Sequence, residues 1–209
     1  MIRAPKGAFL LHILFLFSSR SGFMRTSLCI LLFLPALLTA QPWTPRASFP
    51  LPGRDDGTAF TIGNYMYFGT GMQVGFSLTN DLWRYEPGTD SWSQMASMPC
   101  SLRQYCASFV TTRAYVLTGI DNNNIYLNDV WEYDPAGNSW AQKANLPGPG
   151  RMGASVFVNG SFGYICCGRK DAVNKLRDVW EFNSGSNTWA QKQNFPGTPR
   201  YLAVTFRGN

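Results

Sequence analysis

The sequence has little histidine and little charge. Its single histidine is His12, and charged residues make up only 14% of 209 residues. Residues 13–209 therefore contain no Ser-His-Asp or Cys-His triad. Helical periodicity is also missing after residue 40. Aromatic residues, by contrast, reach 15%, with 20 glycines and 13 prolines, a composition typical of short strands joined by tight turns.

The net charge of +6 does not predict nucleic-acid binding, because of where the charge lies. Residues 1–40 hold four of the 18 basic residues and no acidic one. The remaining 169 residues carry 14 basic and 12 acidic side chains without a dense basic cluster. We therefore expect no nucleic-acid partner.

The basic N-terminus has the order of a secretory signal. Arg25 precedes an apolar run, and Thr39 and Ala40 follow it, which predicts cleavage after Ala40. An upstream apolar run, residues 9–17, is too short for a bilayer span of about 20 residues. Residues 1–23 are either an over-extended gene start before Met24 or part of a long signal. We therefore predict that the protein is secreted or lies on the cell surface. A membrane contact is expected only if the signal is not cleaved.

Four cysteines remain after removal of such a signal: Cys100, Cys106, Cys166 and Cys167. Their spacing does not match a zinc site, so we expect no metal and no other cofactor. We interpret these four cysteines as small apolar residues of the core. A bridge between Cys100 and Cys106 is the alternative that export permits.

A unit of 48 to 49 residues repeats through the rest of the chain, and seven residue series keep one phase. The series are Trp43, Trp92, Trp140 and Trp189; Pro50, Pro99, Pro147 and Pro196; Arg54, Arg103, Arg151 and Arg200; Phe60, Phe109, Phe157 and Phe206; Gly71, Gly119 and Gly168; Asp81, Asp129 and Asp178; and Trp83, Trp131 and Trp180. Each unit begins with an apolar segment that ends at glycine. A segment follows in which large apolar residues, including Trp, alternate with polar ones, and a polar turn then leads to a last segment that opens with Trp. This pattern predicts four strands per unit.

These features resemble the kelch repeat: an aromatic strand ending in glycine, an aromatic-Asp/Asn-Pro turn, and a Trp at fixed distance. The first glycine of the usual pair is replaced by Thr70, Thr118 and Cys167. The resemblance covers residues 43–209 and implies an all-β kelch-type β-propeller, in which each repeat forms one four-stranded blade. Residues 1–40 are the signal and residues 41–209 the propeller fragment.

Three blades are predicted to be complete, at about residues 54–99, 103–147 and 151–196. Residues 43–50 match only an outer strand, and residues 200–209 only an inner one. Since propellers need four to eight blades, we hypothesise a C-terminal truncation that lacks about half the propeller. A dimer of two three-blade arcs is the alternative.

The repeated arginines Arg54, Arg103, Arg151 and Arg200 are the candidate ligand-binding residues. Each is predicted to begin an innermost strand at the rim of the central channel. The resemblance implies ligand contact there, because in some kelch domains arginines at this position contact acidic peptide ligands. The competing interpretation is structural, with each arginine bonding neighbouring loop carbonyls. The repeated aspartates are expected to cap turns.

The other repeated residues are assigned structural roles. The tryptophans are expected to pack between blades and the repeated glycines to end the strands. The variable segments 72–80, 120–128 and 169–177 are expected to be solvated loops or sites of specificity. Residues 148–153 fit a G-x-G-x-x-G string, but a strand follows where nucleotide binding requires a helix.

The leading functional prediction is an exported kelch scaffold that binds protein or glycan through loops on one propeller face, and not an enzyme. The alternative is a secreted propeller enzyme acting on sugars, similar to galactose oxidase or a sialic-acid epimerase. Copper oxidase chemistry is disfavoured because no histidine follows residue 12. No catalytic or metal-binding residue is assigned.

Overall fold

Alternating apolar and polar residues form antiparallel strands within residues 43–205, the part of the chain that this computed structural model describes. The predicted signal, its cleavage after Ala40, the alternative start at Met24 and the repeated Phe206 lie outside the described residues. Among those described there is no helix, and so none that could cross a membrane.

Each repeat contributes four long strands and short pairings beside them. The strands are β1 (Arg54–Asp55), β2 (Thr58–Ile62), β3 (Tyr65–Gly69), β4 (Met72–Gln73), β5 (Ser77–Leu78), β6 (Leu82–Glu86), β7 (Ser91–Met95), β8 (Arg103–Gln104), β9 (Ala107–Val110), β10 (Ala114–Leu117), β11 (Ile120–Asp121), β12 (Val130–Asp134), β13 (Ser139–Lys143), β14 (Ser155–Asn159), β15 (Phe162–Cys166), β16 (Val179–Asn183) and β17 (Thr188–Lys192).

Three four-stranded antiparallel sheets correspond to the three predicted blades. Blade 1 has the order β2-β3-β6-β7, blade 2 the order β9-β10-β12-β13, and blade 3 the order β14-β15-β16-β17. Every blade is thus a meander from an inner to an outer strand, the arrangement expected of a propeller blade. Two small sheets, β1-β4-β5 and β8-β11, join the entry segment of a blade to its loop between the second and third long strands.

The core lies between successive blades, because a central blade buries both faces. In β10, Tyr115 and Leu117 belong to the cluster shared with blade 3, whereas Ala114 and Val116 belong to the cluster shared with blade 1. This alternation follows from the two-residue period of a strand. The repeated tryptophans lie partly buried at these clusters: Trp131 and Trp140 pack toward blade 1, and Trp180 and Trp189 pack toward blade 2.

The innermost strands begin later than the sequence pattern indicated. They start at Thr58, Ala107 and Ser155, four residues after the repeated arginine of each blade. The prediction that each arginine opens the inner strand was wrong. The arginine backbone instead pairs with loops, as where Arg54 lies opposite Gln73 and the N–H of Gly71 donates to the carbonyl of Arg103 at 2.9 Å.

The two segments that match parts of blades are not hydrogen-bonded as strands within the described residues. Residues 43–49 lie outside any strand, and the side chain of Trp43 is fully exposed. The backbone N–H of Ala47 instead donates to Asp90, and its carbonyl accepts from the indole of Trp92.

The four cysteines of the described region are free thiols, so the alternative bridge between Cys100 and Cys106 is not formed. Both pack against the cluster between blades 1 and 2. Burial raises the pKa of Cys100 to about 11 and that of Cys106 to about 12. These thiols are protonated at neutral pH and serve as small apolar residues.

Candidate ligand-binding site

The repeated arginines of the three blades point into the protein. Each forks onto the two carboxylate oxygens of the repeated aspartate that precedes the third long strand. Arg103 reaches Asp129 at 2.6 and 2.7 Å, and Arg151 reaches Asp178 at 2.7 Å twice. Arg54 makes the same fork with Asp81. Bidentate geometry of this kind gives the strongest charge-assisted pairs.

Each aspartate also accepts a hydrogen bond from the indole N–H of the tryptophan two residues later. The distances are 2.8 Å for Trp83, 2.8 Å for Trp131 and 2.7 Å for Trp180. The predicted turn cap is therefore replaced by a triad of arginine, aspartate and tryptophan. Among the described residues Arg200 makes no such fork, and it donates only to Thr198.

Ligand contact through Arg54, Arg103 and Arg151 stays a prediction. These arginines expose almost no side-chain surface to which a ligand could bind. Their side chains are 1%, 1% and 0% exposed. Each also donates to a loop carbonyl, which is that of Thr70 for Arg54, Thr118 for Arg103 and Cys167 for Arg151. These contacts supply the structural role that the sequence left as the competing interpretation.

Two residues after each arginine, the chain turns toward the axis around which the blades are arranged. These positions are Asp56, Tyr105, Gly153 and Leu202, and all four have positive φ, between 54° and 59°. A chain of backbone bonds links them: Tyr105 donates to Asp56, Gly153 to Tyr105, and Leu202 to Gly153, at 2.8–3.0 Å. Left-handed backbone at a tyrosine or leucine is uncommon, and such strain clusters at functional sites.

An open pocket of about 320 Å³ lies between these turns, and we call it the axial pocket. Its lining comes from successive repeats: Asp56, Gly57, Tyr105, Cys106, Gly153, Ala154, Leu202 and Ala203. In a propeller the inner strands surround a central channel. The axial pocket therefore lies where the entries to the inner strands of successive blades meet.

Asp56 and Tyr105 are electrostatically coupled in the axial pocket. Hydrogen bonding to the Asp56 carboxylate, with partial burial and the nearby charges of Asp55 and Asp56, raises the pKa of Tyr105 to about 12. The phenol is therefore a proton donor at all physiological pH values. Together the pair offers a carboxylate acceptor, a hydroxyl donor and an aromatic ring, the groups that a polyhydroxylated ligand requires.

One positive charge acts on Tyr105 from outside the pocket lining. Arg169 exerts an electrostatic influence on Tyr105, and its guanidinium lies 5.3 Å from the ring centre of Tyr201. The ammonium group of Lys175 lies 5.7 Å from the same ring. Both cations come from the variable segment 169–177, and neither belongs to the lining of the axial pocket.

The other two variable loops contribute mainly apolar tips. Val74 and Phe76 of segment 72–80 are each 84% exposed, and Ile125 of segment 120–128 is 55% exposed. No cluster of three or more metal-ligating side chains occurs among residues 43–205.

The architecture agrees with comparisons to known proteins. A family model described as the KLHDC2/KLHL20/DRC7 kelch-repeats domain matches residues 49–204. The chain belongs to the kelch-repeat family. A solved structure titled "Structure of YjhT" superposes with a TM-score of 0.68 at 20% identity, covering 76% of this chain and 57% of that one. This likeness supports the kelch-type propeller fold.

Curated relatives include N-acetylneuraminate epimerases. Those of Shigella sonnei (strain Ss046) and Escherichia coli (strain K12) are each 34% identical over 88 residues, which is 40% of this chain and 24% of the relative. This kelch chain therefore matches about a quarter of the length of these relatives.

The sequence pattern did not single out Asp56, Tyr105 or Leu202. A usable signal was nevertheless present, because the position two residues after each repeated arginine holds four different residues: Asp, Tyr, Gly and Leu. A position that varies within a regular repeat, next to an invariant one, is where a repeat protein places specificity.

Proposed function

We propose that this protein is an exported kelch-repeat module that binds an acidic sugar of a glycan in the axial pocket. The observation that carries the proposal is the Asp56–Tyr105 pair in an open pocket of about 320 Å³, with the charge of Arg169 acting on Tyr105 from outside the pocket lining. Asp56 and Tyr105 suit the hydroxyl groups of a sugar, and Arg169 suits a carboxylate. The signal-like residues 24–40 favour a secreted or surface location.

The experiment is isothermal titration of N-acetylneuraminate, with the neutral sugar N-acetylglucosamine as the comparison ligand. We expect N-acetylneuraminate to bind more tightly than the neutral sugar. Asp56→Asn and Tyr105→Ala should each weaken that binding about tenfold or more, since one buried charge-assisted hydrogen bond contributes roughly 1.5–3 kcal/mol. Arg169→Gln should remove the preference for the acidic sugar.

Glu86→Gln is the matched control. Glu86 ends β6 and accepts a hydrogen bond from the backbone of Gly88 in the adjoining turn, and it does not line the axial pocket. Its substitution should leave binding unchanged. Equal affinity of the parent chain and Asp56→Asn for N-acetylneuraminate would reject this site.

Catalysis of sugar epimerisation is the second candidate, and the names of the relatives favour it. An epimerase needs groups that accept and donate protons near the reacting carbon. Asp56 is the acceptor available in the axial pocket, and Tyr105 is the donor. Proton NMR of freshly dissolved N-acetylneuraminate would detect faster equilibration of its two anomers. A rate equal to that without protein, in a chain that binds the sugar, would leave binding as the function.

A further inference from the structure

The variable loop of blade 3 carries positive charge that the equivalent loops of the other two blades lack. Segment 169–177 has one acidic residue, Asp171, and four basic residues. The basic residues are Arg169, Lys170, Lys175 and Arg177. Segment 72–80 has no charged residue, and segment 120–128 has only Asp121. Because the charge occurs in one repeat alone, the scaffold that all three repeats share does not require it.

Two of these cations lie opposite each other in the backbone pairing of the loop. Arg169 and Lys175 form an antiparallel bridge. The equivalent pairs are uncharged in both other blades: Met72 with Leu78, and Ile120 with Tyr126. Like charges directly opposite each other in an antiparallel pair repel and lower stability. We call Arg169 and Lys175 the cation pair.

Both members of the cation pair lie over the ring of Tyr201. The guanidinium carbon lies 5.3 Å from the ring centre and the ammonium nitrogen 5.7 Å from it, within the range of cation–π attraction. The backbone holds the tyrosine beside the loop, because the preceding Arg200 accepts from Gly168 at 2.8 Å and donates to Leu176 at 3.2 Å. One ring thus gathers two like charges at one place.

No carboxylate among residues 43–205 forms an ion pair with either cation. Within that range, the guanidinium of Arg169 donates only to the sulfur of Met152, at 3.9 Å, and its buried Nε has no partner. The carboxylate of Asp171 accepts from the backbone N–H groups of Val173 and Asn174 at 2.9 and 2.7 Å, and so it is bonded within its own turn. The cation pair therefore has donors and charge that no described group uses.

We propose that the cation pair and Tyr201 form a binding site for a tetrahedral oxyanion, the sulfate or phosphate ester group of a ligand. Lys175 is exposed and Arg169 is half-buried, so the site is open to solvent. The planar fork of the guanidinium binds two oxygens of the anion, and the ammonium binds a third. A carboxylate, which has only two oxygens, satisfies the pair less fully.

This site does not depend on sugar binding in the axial pocket. Neither member of the cation pair lines that pocket, and neither Asp56 nor Tyr105 belongs to the oxyanion site. Arg169 serves both proposals, whereas Lys175 and Tyr201 belong to this one alone. Binding of an ester anion by a chain that does not bind N-acetylneuraminate would reject the proposed function and keep this site.

The experiment is isothermal titration of the full chain at pH 8 and constant low ionic strength with three small anions. The probes are methyl sulfate, methyl phosphate and acetate. We expect saturable binding of at least one ester, with one anion per chain and an affinity about fivefold or more above that of acetate, because the ester offers a third oxygen. The tighter ester identifies the source of the anion. No saturable binding of either ester, or equal binding of acetate, would overturn the proposal.

Variants that each remove one charge separate this site from the general charge of the loop. Lys175→Gln and Arg169→Gln should each weaken ester binding about tenfold, the effect of losing one charge-assisted hydrogen bond. Lys170→Gln is the matched control, since Lys170 is an exposed cation of the same loop that does not lie over Tyr201. It should change binding less than about twofold. Equal weakening by Lys170→Gln and Lys175→Gln would assign binding to the charge of the loop and contradict the site.

The ring and the fork are tested by conservative variants. Tyr201→Phe keeps the ring face and should retain ester binding, whereas Tyr201→Leu removes that face and should weaken binding about fivefold. Arg169→Lys keeps the charge, loses the fork and should weaken binding by a similar factor, and it replaces Arg169→Gln if that variant does not fold. The melting temperature of each variant confirms that it is folded. Unchanged binding by folded Tyr201→Leu and Arg169→Lys variants would overturn the proposal.

Discussion

Arg151 and Asp178 lie 27 positions apart and meet through two parallel hydrogen bonds of 2.7 Å, with the arginine side chain fully buried. Removing the guanidinium leaves a mostly buried carboxylate without its partner, a change that typically costs about 3–5 kcal/mol. Arg151→Ala should therefore destabilise the protein by about that amount. The measurement is urea unfolding followed by tryptophan fluorescence.

Arg200→Ala is the internal control for that measurement. Arg200 occupies the equivalent repeat position but is exposed and pairs with no carboxylate among the described residues. Its removal should change stability by less than about 0.5 kcal/mol, as for ordinary surface substitutions. Similar losses from both variants would show that the fork is not what stabilises the blade.

The forks also predict an acid-dependent loss of stability. Burial by itself would raise the pKa values of Asp81 and Asp178, but hydrogen bonds from Arg54 and Arg151 outweigh it and lower them below the ordinary 3.8. The unfolded chain therefore takes up protons first as the pH falls. The stability due to the forks is fully present above about pH 4 and is lost below it.

Unfolding midpoints in urea at pH 7, 5 and 3 would measure this effect. We expect little change between pH 7 and 5 and a marked fall at pH 3. Asp178→Asn should be less stable than the parent chain at pH 7 and should lose less between pH 5 and 3. The same pH dependence in both proteins would assign the acid sensitivity to other carboxylates.

The repeat pattern predicted the blades because two local rules coincide. Two-residue alternation, as in Tyr115-Val116-Leu117, defines strands with two buried faces, and the recurring tryptophans mark the interfaces at which these faces meet. The arginine–aspartate fork was not predicted, since the aspartates were expected to cap turns. The signal was present, because the two oppositely charged series keep separations of 27, 26 and 27 positions.

The axial pocket was not predictable by the same means. Asp56 and Tyr105 lie 49 residues apart, and what brings them together is a left-handed turn in each repeat. Side-chain identity does not predict that turn. Glycine signals a possible positive φ because it adopts that conformation easily, whereas an aspartate or a tyrosine carries no such signal. Local propensity therefore specifies the scaffold, whereas the strained turns that form the site depend on packing between blades.

The position before the repeated glycine carries backbone strain that glycine would relieve. Thr118 has φ of 63°, a conformation that is a genuine outlier for a β-branched residue, and its buried hydroxyl has no partner among the described residues. Thr118→Gly should raise stability by about 1 kcal/mol, the typical cost of left-handed backbone. The midpoint of urea unfolding measures the gain.

The neighbouring Gly119 predicts the opposite result. Its φ is 104°, and an added Cβ would lie 2.8 Å from the carbonyl oxygen of Gln104. Gly119→Ala should therefore destabilise the protein by more than about 1 kcal/mol. If both substitutions shifted the midpoint in the same direction, backbone strain would not be the cause.

Cys106 should be unreactive in the folded protein. Burial raises the pKa of its thiol to about 12, so the nucleophilic thiolate is scarce at pH 8. Iodoacetamide at pH 8 should leave Cys106 unmodified in the native protein and modify it fully after denaturation without reductant, with peptide mass mapping as the readout. A Cys106 peptide that resists alkylation until reductant is added would instead be in a disulfide, a bridge that the free thiols of this structure lack.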